Sequence, residues 1–73
     1  MPPTRAPLAL SVNGEPVEAP PDATVRRLLE LLQLDGRRIA VAVNRDVVPR
    51  SEYEERSLGD GDRIEILEAV GGG

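Results

Sequence analysis

The dipeptide Asn13-Gly14, set between two short alternating runs, constrains the chain more than any other feature. Asn-Gly readily supplies the positive φ angles of a two-residue hairpin turn. Leu8, Leu10 and Val12 therefore line one face of a first strand, and Val17 and Ala19 return beside them. The turn fixes the register: Val12 opposes Glu15, Leu10 opposes Val17, and Leu8 opposes Ala19. Pro16 has no N–H to give to a ladder, which puts the second strand at a sheet edge. One face of this hairpin is apolar and has to be covered.

The cover follows directly. Asp22 or Thr24 caps a helix running from about residue 25 to residue 34, in which Val25, Leu28, Leu29 and Leu32 recur at helical spacing. Leu31 and Leu34 widen that stripe, and Asp35-Gly36 supplies a glycine stop. The N-terminus lacks a full capping box, because Arg27 stands where Glu would if Thr24 is the cap. Next, residues 39–43 read as a central strand with large side chains on one face and alanines on the other. Asn44-Arg45-Asp46 turns into a short strand, Val47-Val48, halted by Pro49. A polar segment containing Tyr53, the single aromatic, is assigned no role. After the tight turn over residues 58–62, Ile64, Glu65 and Ile66 alternate in a last strand that slips out of phase at Leu67. Strand, strand, helix, strand, short strand, strand is an α+β order. It predicts a β-grasp (ubiquitin-like) domain, a mixed four- to five-stranded sheet with one helix packed on one face. Residues 1–7 form a flexible lead, residues 8–70 the domain, and residues 71–73 a flexible glycine tail.

Composition removes most chemistry. A single domain of 73 residues has little room for a walled cavity. With no Cys and no His, it has no thiol nucleophile, imidazole base or soft-metal cluster, and no paired acids share a plausible cleft. Gly59 and Gly61 precede a strand rather than a helix, a poor phosphate cradle. The chain is expected not to be an enzyme. A net charge of -4 argues against nucleic acid, and no run approaches the ~20 apolar residues of a membrane span or forms a signal peptide. A cytoplasmic protein follows, with partners that carry basic surfaces. All nine cationic side chains are Arg, so the Met1 α-amino group is the one amine and self-conjugation through lysine is closed.

Val70 is followed by Gly71-Gly72-Gly73. At a background frequency of ~7%, three glycines at a fixed place arise by chance on the order of once in three thousand. A disordered end is the competing account, and the β-grasp body ahead of the tail favours a working one. Without Cβ, Gly71 and Gly72 can thread a narrow channel in another protein and adopt any backbone angle there. Six residues counted from Glu68, at ~3.3 Å each, reach roughly 20 Å. Ordering them costs about 1–2 kcal/mol per residue, which a docking surface on the folded body has to offset. The Gly73 carboxylate is itself inert, being ionised at neutral pH, and requires activation.

Taken together, Ala42-Val43-Asn44, Val47-Val48-Pro49-Arg50, Asp60-Gly61-Asp62, Ile64-Glu65-Ile66 and the ending Ala69-Val70-Gly71-Gly72-Gly73 resemble the ThiS family, the sulfur carriers of thiamine thiazole biosynthesis. The resemblance covers the chain from Leu8 onward. It implies that Gly73 is adenylated by a ThiF-type adenylyltransferase using ATP, and is then converted to a thiocarboxylate. A cysteine desulfurase or sulfurtransferase would supply the persulfide sulfur, and thiazole synthase would consume it. No cofactor would be held by the chain, which would be a monomer when free. The small subunit of molybdopterin synthase is similar in fold and tail, but tends to carry a proline-containing stretch where this chain has Glu68-Ala69-Val70. Carriers for cysteine or thionucleotide synthesis, and protein modifiers, share the activation chemistry. A β-grasp binding module of RNA-handling enzymes is a different class, disfavoured by acidic charge and a single aromatic.

The sheet face opposite the helix is the expected docking site, with Ala40, Ala42 and Leu67 contributing. Thin core filler is the plain alternative for the alanines. Glu65 and Glu68, with Asp60 and Asp62, are expected to cluster by the last strand and steer a basic partner, against the plain alternative of solvated charge.

Overall fold

The computed structural model describes residues 5–68. A hairpin of β1 (Leu8–Val12) and β2 (Glu15–Ala19) leads into helix α1 (Val25–Leu31). A second hairpin follows, β3 (Ile39–Val43) and β4 (Asp46–Val48), then a 3-10 turn at Arg50–Glu52 and the last strand, β5 (Arg63–Glu68). The strands form one sheet in the order β2-β1-β5-β3-β4. β1 and β5 run parallel, and every other pair is antiparallel. With α1 on one face this is the β-grasp arrangement, at the five-stranded end of the expected range. β5 is the middle strand, and β3, expected as a central strand, is interior as well, between β5 and β4.

Local chemistry explains the elements. The first hairpin has the register its turn dictates, Leu8 facing Ala19, Leu10 facing Val17 and Val12 facing Glu15. Asn13 (φ 50°) and Gly14 (φ 86°) are both left-handed, as a type I′ turn requires. β2 lies at the edge, where Pro16 opposes Ser11 without breaking an interior ladder. The second hairpin turns the same way through Asn44 (φ 52°) and Arg45 (φ 69°). A long side chain at positive φ costs roughly 1–2 kcal/mol, so the bonds made by Asn44 must hold this turn in place.

Thr24 is the helix cap, its hydroxyl accepting the Arg27 N–H at 3.2 Å. The helix is shorter than its apolar pattern implies, ending at Leu31 instead of residue 34. The stop is Gln33, not Gly36. Gln33 takes the left-handed conformation (φ 60°) and donates its N–H to Glu30, while the Leu34 N–H reaches back to Leu29 at 2.8 Å. This is a Schellman closure with glutamine in the place glycine usually takes, and it folds Leu34 onto the core. Leu31, one residue out of the stripe, stays 43% exposed.

Val25, Leu28 and Leu29 of α1 meet Leu8, Leu10, Val41, Val43, Ile64 and Ile66 from the sheet in one buried cluster. A helix of 7 residues would not hold alone, so this contact supplies its stability. Tyr53 and Leu58 close the cluster from the connection to β5. Tyr53, given no part by the sequence, is a core residue with its hydroxyl 3.5 Å from the Ile39 carbonyl.

Candidate functional site

β5 is the element that precedes the glycine end in sequence. The start of this strand is fastened from both sides. The Asp60 carboxylate accepts the Ala9 N–H at 2.7 Å, and the Gly61 N–H is donated to the Ala9 carbonyl at 2.8 Å. Asp62 accepts the Gly59 N–H through one oxygen (2.7 Å) and the Asn44 side-chain amide through the other (2.9 Å). Asn44 in turn accepts the Arg63 N–H on its side-chain oxygen and donates its own backbone N–H to the Arg63 carbonyl. It thereby lengthens the β3–β5 ladder by one rung. On the opposite flank β1 pairs with β5 only at Ser11 and Val12 before turning away. There the Asn13 side chain stands in for a strand, accepting the Ile66 N–H at 2.8 Å and donating to the Ile66 carbonyl at 3.0 Å.

Past Ile66 the setting changes. Leu67 and Glu68 have β3 on one side, paired with Ala40 and Ile39, and no strand on the other among the described residues. On the face turned away from the helix, Leu67 lies across from Ala40, Glu65 across from Ala42, and Ala42 across from Val47. Leu67 is 73% and Val47 72% exposed, and Ala40, Ala42 and Leu67 share one sheet face, with Val47 added. The missed signal for Val47 was its register. A two-residue turn after Val43 sets Val47 opposite Ala42, on the alanine side of the sheet.

The expected acidic cluster does not assemble. Glu65 is on the open face, but Glu68 is three residues on and points to the helix side, where it pairs with Arg37 at 3.1 Å. Asp60 and Asp62 are committed to the turn that starts β5. At the end of β5 lies instead an open basin of about 400 Å³ lined by Arg37, Arg38 and Arg50 together with Ile39, Ala40, Tyr53, Leu67 and Glu68. Gly71, Gly72 and Gly73, the expected working end, lie outside the described residues, as do Met1 to Thr4 of the lead. Arg5, Ala6 and Pro7 are exposed and take no regular structure. No helix among the described residues is long and apolar enough to cross a membrane.

Known proteins align with this arrangement. A thiazole synthase of Paramagnetospirillum magneticum is 39% identical over 90% of this chain, although the chain spans only 20% of that protein. The sulfur carrier protein ThiS of Bacillus subtilis is 37% identical, with 88% of this chain matched to 98% of that one. A crystal structure of the thiamine biosynthesis protein ThiS from Geobacter metallireducens superposes with a TM-score of 0.75 at 32% identity, covering 90% of this chain and all of that one. The sequence model of the ThiS family matches residues 10–73, a span that takes in the fastened start of β5, its open exit and the glycine end, and the chain belongs to that family.

Proposed function

We propose that this chain is a sulfur carrier of thiamine thiazole synthesis, acting in the cytoplasm as a free monomer, with Gly73 as its reacting residue. The observation that carries the reading is the combination of ThiS family membership with a sequence that runs from the middle strand of the sheet, past an exposed apolar face, into Gly71-Gly72-Gly73. In this reading a ThiF-type adenylyltransferase holds the Gly73 carboxylate against ATP. A carboxylate oxygen attacks the α-phosphorus, pyrophosphate leaves, and an acyl adenylate forms. The terminal sulfur of a persulfide, delivered by a cysteine desulfurase or sulfurtransferase, then attacks the acyl carbon and AMP leaves. A thiol splits the resulting acyl disulfide, which releases the thiocarboxylate.

The chain's own contribution is presentation. Gly71 and Gly72 suit a narrow partner channel because they carry no Cβ. The open face at Ala40, Ala42, Val47 and Leu67 is the handle by which partners offset the cost of ordering the tail. That a thiazole synthase contains a stretch resembling this chain supports that enzyme as the acceptor of the sulfur.

Intact mass measured after incubation with the activating and sulfur-donating enzymes and ATP should rise by about 16 Da, one carboxyl oxygen exchanged for sulfur. Removal of Gly73 should abolish the increment while the thermal melt stays unchanged. A truncated chain that still gained the mass would overturn the assignment of Gly73.

A further inference from the structure

The basin beside the exit of β5 is walled by three guanidinium groups in a chain whose net charge is -4. Their states differ. Arg37 is paired with Glu68, whereas Arg38 and Arg50, both exposed, make no ion pair among the described residues. Arg26, Arg27, Arg37 and Arg56 find acidic partners, while Arg5, Arg45 and Arg63, away from the basin, also make none among the described residues. Two cations without an acidic partner among the described residues therefore share the lining with the apolar Ile39, Tyr53 and Leu67. Glu68, the last described residue of β5, also lines the basin, so the basin lies at the end of the strand that leads in sequence to the glycines.

The recognising chemistry is a short acidic segment. Guanidinium groups bind carboxylates in a matched, two-pronged geometry. The apolar residues that share the lining suit an apolar side chain. A polyanion such as nucleic acid fits less well, because the chain as a whole carries a net charge of -4. We infer that Arg38 and Arg50 form a docking site for a protein segment in which carboxylate side chains flank an apolar one, and that this segment belongs to the enzyme that activates the terminal carboxylate. The inference rests on the sulfur-carrier reading. It reverses the electrostatics expected from composition, since local positive charge around the exit, and not the overall negative charge, does the steering.

The test is adenylation of the full chain by its ThiF-type enzyme, followed as pyrophosphate release at low salt over a range of carrier concentrations. The pair Arg38→Glu with Arg50→Glu should raise KM about tenfold or more and leave kcat unchanged. Arg38→Gln with Arg50→Gln should give a smaller rise, and Arg38→Lys with Arg50→Lys should restore most of the loss. The control is Arg5→Glu with Arg45→Glu, which makes the same change in net charge at the far end of the molecule and should move KM by about twofold at most. At about 1 M salt the difference between the two reversed pairs should nearly vanish. If the basin variant and the control behave alike, or if kcat falls with KM unchanged, the docking site is overturned. If the unaltered chain is not adenylated at all, the sulfur-carrier reading fails first and takes this inference with it.

Discussion

At its start β5 is held on both flanks: Asp60 and Asp62 bind backbone N–H groups of Ala9 and Gly59, Asn44 adds a rung toward β3, and Asn13 seals the side that β1 leaves. At its end only β3 pairs with it among the described residues, the side chains of Leu67 and Glu68 are largely exposed, and Arg37, Arg38 and Arg50 line the basin beside them. One strand thus has a fastened half and an open half, with the open half nearer the glycines. Under the proposed function, a tail offered to a partner's active site gains from this division. The body keeps its position through the first half, and the second half keeps its surface and backbone available.

That contrast can be broken most severely at Ile64, which is 1% exposed in the fastened half. Ile64→Ala should cost about 2–5 kcal/mol in chemical denaturation, whereas Leu67→Ala, three residues on, should stay within about 0.5 kcal/mol. Equal losses would mean that the two halves are not different in kind. Asn13→Ala removes both bonds to Ile66 and a residue suited to positive φ, so a loss of about 1–3 kcal/mol is expected. Hydrogen exchange should then speed up at the Ile66 amide ahead of its neighbours in β5, and uniform acceleration would argue against a local seal. The smallest effect lies away from the strand and sharpens the comparison by serving as its baseline. Gln33→Gly relieves the left-handed glutamine at the helix stop and should raise stability by about 0.5–1 kcal/mol without altering exchange in β5.

The first hairpin was readable to the residue because Asn13-Gly14 ties turn type, register and facing side chains together over a few positions. The start of α1 was readable for the same reason, Thr24 being adjacent to what it caps. The helix stop was not, since propensity points to Gly36 while tertiary packing of Leu34 draws the reversal back to Gln33. Nor was the middle position of β5. Alternation at Ile64 and Ile66 tells which face a strand buries, but not which strands lie beside it. The tasks of Asp60 and Asn13 depend on partners 51 and 53 residues away, and an acidic turn viewed locally looks merely solvated. Within the candidate site, the grouping of Ala40, Ala42 and Leu67 followed from strand parity. The pairing of Glu65 with Glu68 ignored that parity, for residues three apart on a strand face opposite ways.

The sheet order has a consequence for how the molecule comes into being. Without its final strand the remaining pieces are two separate hairpins and a helix of two turns, none of which is durable in isolation. Assembly therefore waits on the most distant joins in the chain, which slows folding for a polypeptide of this length. Until β5 is in place, the two hairpins and the helix have no common sheet to join.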